Sequence, residues 1–359
     1  MNIITQFKNK LSNMLFLEID TKNLNKIFNV QFEEDIYVPV NSKKVIDSVR
    51  TKNNMDKIPV GFFIEGMFYV MGADKDFKYN HYYENILKNR SNSTEFIKGV
   101  IADKVKNKEY EDSYLLLKGL LNIENTKETY DKIILIVDYM RRSDSSYKDE
   151  ELGILEKAES IENYALPYFY HAIIEKETGD CEKALFYINS YISKGGEETL
   201  EVSDFKESVK SVVDFDNGKE ILNENPEKAL KILIPLIDIF GDHPSLYYYI
   251  AVGYRMLANY EKAIYYLNEA LSIDSSMVEV INEMGINYAS IGDYKTAIAY
   301  LRKAFEATKS VEICTNLVMC YLNSGDLDNA RTHFELAKKL DPDDEIVKEL
   351  EDTLKKLKH

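Results

Sequence analysis

The sequence predicts an all-α fold, a solenoid of antiparallel helix pairs. Three observations carry this. Between His243 and about Asp344 three near-copies of one pattern stand in tandem, and their alanines Ala263, Ala297 and Ala330 fall 34 and then 33 residues apart. A fixed period of that size marks stacked helical units. Each copy holds two apolar stripes at three- and four-residue steps, the spacing that one helix face requires. A short polar break separates the stripes, Leu257-Ala258-Asn259 in the first copy, Gly292-Asp293 in the second and Gly325-Asp326 in the third.

In the first copy Tyr247, Ile250, Ala251 and Tyr254 make the first stripe, and Ala263, Leu267 and Ala270 the second. The second copy repeats this with Ile281, Met284, Gly285 and Tyr288, then Ala297, Leu301 and Ala304. The third has Cys314, Leu317, Val318 and Tyr321, then Ala330, Phe334 and Ala337. Small residues stand where two helices must approach, so a leucine at Ala263, Ala297 or Ala330 would overpack the seam at a cost of roughly 1–3 kcal/mol. Gly292 and Gly325 suit the left-handed residue that ends a helix, and Asp293 and Asp326 the cap that starts the next.

These residues resemble the tetratricopeptide repeat (TPR) family. Gly285, the tyrosines 254, 288 and 321, the six alanines of the second helices and Pro342 match its pattern. Ile281 and Cys314 stand at its Trp position, and Ser275 and Lys309 where Pro is usual. The resemblance implies a right-handed superhelix whose first helices line a concave groove. It also implies a protein or peptide partner. Carried over by register, the groove residues are Tyr248, Val252 and Arg255, then Asn282, Ile286 and Ala289, then Thr315, Met319 and Asn323. The subtype that clamps a terminal carboxylate needs lysine where Tyr248, Asn282 and Thr315 stand, so that clamp is not expected. The mixed apolar and amide lining suits a peptide or helix held by apolar anchors and amide hydrogen bonds. The alternative for Val252, Ile286 and Met319 is simple packing between neighbouring helices.

Upstream the pattern is looser. Residues 1–93 form an N-terminal segment unlike the repeats. Ile3, Phe7, Leu11 and Leu15 fit one helix face. Phe32 to Val40, with Pro39, fits an edge strand or an extended linker, and Ser42 to Arg50 a short helix. Gly61 to Gly72 and Asn80 to Arg90 read as a degenerate helix pair, with a buried strand over Pro59 to Ile64 as the alternative. Degenerate repeats then fill 94–240. Tyr110 sits where Tyr260 and Tyr294 sit, with Ser113 at the alanine position, and Ala184 and Ala229 keep the later register. Pro226 suits a first helical turn, and Pro235 should kink or end its helix. Residues 94–344 thus hold about seven pairs, the three clear ones over 241–344. A capping helix follows over 345–359, with Ile346, Leu350, Leu354 and Leu357 inward and Lys355, Lys356 and Lys358 at its cationic end.

The chain of 359 residues is acidic, with a net charge of −16, which argues against nucleic acid as a partner. No apolar run reaches the ~18 residues of a membrane helix, and the N-terminal start has no signal-peptide cleavage pattern. Cys181, Cys314 and Cys320 form no CxxC, so a reduced, cytoplasmic compartment is expected, and the Lys-, Asn- and Ile-rich composition points to a bacterial source.

No catalytic constellation, metal site or cofactor motif is found, and a non-enzyme is expected. Asp214 to Gly218 has the look of a calcium loop, but its glycine is one residue early and Asn225 stands at the twelfth position, so a turn is expected there. His171 reads as packed or groove-facing rather than as a ligand. The function expected is a scaffold or adaptor. The alternatives are a peptide-sensing receptor, a non-catalytic subunit of a larger complex, or an enzyme whose active element lies within residues 1–93. Monomer and homodimer are both open.

Overall fold

The computed structural model describes residues 3–28, 30–32, 34–52 and 58–356. The chain divides into two compact units, Met1–Asp204 and Phe205–His359.

The first unit opens with α1 (Ile3–Lys10), which buries Ile3 and Phe7. The helix does not continue to Leu15 as its stripe predicts. A tight turn over Leu11–Asn13 leads into β1 (Met14–Ile19), so Leu15 lies on a strand. After α2 (Thr21–Phe28) comes β2 (Ile36–Asn41), antiparallel to β1 from Met14↔Asn41 to Ile19↔Ile36. Pro39 stands opposite Phe16. A two-stranded ribbon has only edges, so the missing N–H is tolerated. Next come α3 (Ser42–Lys52), α4 (Val60–Ala73), α5 (Asn80–Asn89), α6 (Ser93–Lys106) and α7 (Tyr110–Leu120). The strand alternative for residues 59–64 is thereby replaced by a helix.

The chief partner of α4 is α7, not the adjacent α5 as the sequence pairing predicts. Two glycines make the crossing close. A Cβ on Gly72 would stand 1.8 Å from the Leu115 carbonyl oxygen, and one on Gly119 1.9 Å from that of Phe68. The unit continues with α8 (Lys127–Ser143), α9 (Lys148–Glu159), α10 (Leu166–Glu177) and α11 (Cys181–Ser193). One hydrophobic core runs from Ile3 to Ile174, so α1, the ribbon and α4 share it with the helix pairs.

The chain passes into the second unit along α12 (Leu200–Glu220). Asp214–Gly218 lie inside this helix, which corrects the expected turn. Asp216 pairs with Lys219 at 3.1 Å, one turn on. Then follow α13 (Pro226–Leu233), a tight turn over Ile234–Leu236 where Pro235 ends the α-helix, and the short α14 (Ile237–Phe240). The clear repeats are α15 (Pro244–Met256) with α16 (Tyr260–Ile273), α17 (Val278–Ser290) with α18 (Tyr294–Thr308), and α19 (Val311–Asn323) with α20 (Leu327–Leu340). The last helix, α21 (Glu345–Lys356), buries Val347, Leu350 and Leu354. Ile346, expected inward, is 46% exposed, because the helix turns Val347 to the neighbouring repeat. Leu357, Lys358 and His359 lie outside the described residues.

The break between helices repeats atom for atom. Asp180, Asn225, Asn259, Asp293 and Asp326 each stand four residues before the register alanine. Each accepts a hydrogen bond on its side chain from the backbone N–H three residues on. That satisfies one of the N–H groups that a helix start leaves unpaired. Gly179, Gly292 and Gly325 precede three of these caps with φ of +86°, +84° and +80°, and Ala258 takes the same left-handed place at +55°. Ring pairs recur with the same period: Tyr254 on Tyr266 and Tyr288 on Tyr300, each at 6° between planes, and Tyr321 on His333.

Candidate partner-binding face

The candidate face is made by the first helices of the three clear repeats, α15, α17 and α19. Their inner stripes are committed to packing. Ile250, Ala251, Met284 and Leu317 are fully buried.

Between α17 and α19 lies a cleft of about 220 Å³. Ile286, Ala289, Met319 and Asn323 line it, together with Tyr294 and Asn316. Four of the sequence-derived residues therefore meet at one place. Met319 is 46% exposed, a large apolar side chain held open at the rim. The Asn323 amide donates to the Met319 carbonyl oxygen at 2.9 Å.

Tyr248, Val252 and Asn282 are half-buried on α15 and α17. The Tyr248 ring stands edge-on to Tyr249 at 5.2 Å. Burial raises its phenol above the ordinary range, and the carboxylates of Glu283 and Glu279 add to this. Arg255 donates through Nε to the Glu283 carboxylate on the next repeat. Thr315 does not reach solvent; it is 4% exposed and its hydroxyl donates to the Glu312 carbonyl oxygen at 2.8 Å, so it packs between helices.

Sequence reasoning missed Glu283 and Asn287. Glu283 is 4% exposed, and burial raises its acid above the usual carboxylate range while Arg255 and Asn287 pull it down. Asn287, one turn on and fully buried, donates its amide to the Glu283 carbonyl oxygen at 2.8 Å and to the carboxylate at 3.3 Å. The available signal was a Glu and an Asn four residues apart inside the apolar run INEMGINYA.

Two further hollows lie among the described residues of the first unit. One, of about 580 Å³, is lined by Gln6, Lys10, Glu111, Asp112, Tyr139 and Tyr147 among others. Several of its charges are paired: Lys10 lies 2.5 Å from Glu111 and 3.1 Å from Asp112, and the Tyr69 hydroxyl donates to Asp112 at 2.9 Å. This polar wedge ties α1 to α7. The other, of about 480 Å³, is apolar and lies among α6, α7 and α8 around Ile101, Val105 and the exposed Leu135. His171 is packed, 4.5 Å from the Tyr187 ring and bonded through Nδ1 to Glu159. Among the described residues no three His, Cys, Asp or Glu side chains group as a metal site. No described helix is long and apolar enough to cross a membrane.

Comparison with known proteins agrees with the repeat pattern. Residues 289–353 match the tetratricopeptide repeat family model. No curated protein matches the chain. Among solved structures, MamA is 16% identical with a TM-score of 0.37, covering 49% of this chain and 90% of its own. YrrB, described as a TPR protein with an unusual peptide-binding site, is 17% identical at a TM-score of 0.38, over 55% of this chain and 96% of its own. TTC0263, a thermophilic TPR protein of Thermus thermophilus, is 17% identical at 0.32, over 51% and 95%.

Proposed function

We propose that this chain, whose C-terminal unit carries tetratricopeptide repeats, is a non-enzymatic scaffold that holds a peptide or helix of a partner protein on the face made by α15, α17 and α19. Repeat proteins of this construction expose one continuous face while each unit contacts only its neighbours. The observation that carries the proposal is the cleft around Ile286 and Met319, an apolar anchor point flanked by side-chain amides. Such a lining takes an apolar side chain of the guest and hydrogen-bonds the guest's backbone.

The test is selection of random dodecapeptides on the immobilised full-length chain, repeated on an Ile286→Ala/Met319→Ala double variant of unchanged helicity. The expected outcome is a set of peptides whose affinity falls ~10-fold or more in the variant, the size of losing a central apolar anchor. Peptides that bind both proteins alike would move the function to the outer face of the repeats or to residues 1–93.

A further inference from the structure

The apolar cleft of the first unit, about 480 Å³ among α6, α7 and α8, combines two features at one opening. Ile101, Leu117 and Ile136 are its buried floor, and Leu135 is 55% exposed at its edge. Lys98 and Lys106 line it from α6, and Lys132 from α8. Among the described residues that line it there is no carboxylate, amide or hydroxyl side chain. The rim is thus cationic on a chain whose net charge is −16. Lys106 is exposed and has no carboxylate partner among the described residues. Lys98 holds Glu124 at 2.6 Å and Lys132 holds Glu128 at 2.7 Å, both outside the cleft lining. Pairs at the surface hold weakly, and an ammonium has three donors, so each lysine can take a further carboxylate.

We infer that this cleft is a second docking site, separate from the face made by α15, α17 and α19, and that it takes an amphipathic helix carrying acidic residues. Three observations select that occupant. The lining offers no amide or hydroxyl to a peptide backbone, so an extended guest would leave covered N–H and C=O groups without partners, whereas a helix pairs its own. The apolar floor matches the apolar stripe of such a helix, one side chain every three or four residues. Lys98 and Lys106 stand eight residues apart, about 12 Å along α6 at 1.5 Å per residue, with Lys132 on the other wall. Cations spread along both walls suit carboxylates ranged along a helix better than a single anionic head group.

The test is selection of amphipathic helical peptides, their polar positions randomised, on the immobilised full-length chain. Enriched peptides are then measured against Leu135→Ser and Lys106→Gln, two exposed changes checked for unchanged helicity. The expected result is a class of acidic peptides whose affinity falls ~10-fold in Leu135→Ser, as for loss of an apolar anchor. The same peptides should bind Lys106→Gln ~3-fold more weakly, weaken with added sodium chloride, and ignore Ile286→Ala/Met319→Ala. Leu135-dependent peptides that are neutral or basic would overturn the acidic guest. If no peptide depends on Leu135, the helix is the wrong occupant. Binding of dodecanoate that is lost in Leu135→Ser would then put an acyl chain in the cleft, and dimerisation lost in that variant a second copy of the chain. None of these results bears on the face made by α15, α17 and α19, which stands or falls on Ile286 and Met319.

Discussion

Glu151 is the buried partner of Arg141, which joins three helices of the first unit. Its carboxylate is fully buried on α9; one oxygen accepts from Arg141 Nε, and the other has no partner in the structure. Arg141, on α8, also holds Asp138 at 2.8 Å and Glu177 of α10, so three carboxylates face one buried guanidinium. Burial pushes the Glu151 acid up to about 7, with Arg141 pulling it back. An acid raised on folding stabilises most below its ordinary value of 4.5 and loses that contribution as pH climbs through about 7. Across that window the wild-type chain should lose on the order of 3 kcal/mol relative to Glu151→Gln, whose amide stays neutral. Urea denaturation of both proteins at stepped pH reads this out, and a constant difference between them would refute it. Nothing in the sequence marked this glutamate, which reads as one more acid in the first turn of a helix. Its burial follows from Arg141 on a neighbouring helix.

At the scale of elements, the close crossing of α4 and α7 gives the sharpest contrast. Gly72→Ala drives a methyl group into a backbone carbonyl that cannot swing away, so it should cost about 3 kcal/mol or more. Gly153 lies in α9 with nothing within 4 Å of an added Cβ. Gly153→Ala should therefore gain about 0.5–1 kcal/mol from helix propensity. Thermal melts of the two variants decide this, and similar melting temperatures would sink it. The elements themselves were unequally legible. The caps at Asp293 and Asp326 could be read directly, because an N-cap is made within a few residues of chain. The β1 strand could not. Its Leu15 extends the helical stripe of α1, and only pairing with β2, more than a dozen residues away, makes it a strand. The partner of α4 was hidden for the same reason.

At the scale of the whole molecule, an exposed polar connection runs from Lys194 to Thr199, between α11 and α12. Gly195 there has a φ of +86°, and Glu197 and Glu198 are exposed. A glutamate-specific protease should cut there first and leave the helices on both sides intact, since exposed polar loops are the preferred sites of nicking. Mass spectrometry of early digests checks this; a first cut inside α15–α20 would contradict it.

By itself the sequence determined the repeat: its period, its helix pairs, its caps and its alanine seams. Each unit touches only its neighbours, so the instructions lie within some 34 residues and recur in register. It also brought Ile286, Ala289, Met319 and Asn323 to one cleft, because register along a helix carries over from copy to copy. Tertiary structure decided what depends on distant chain: the ribbon built into the first core, the crossing of α4 over α7, the burial of Thr315, and that of Glu283. Those features arise where side chains from separate helices compete for the same space and the same donors, a balance that no single stretch of sequence contains.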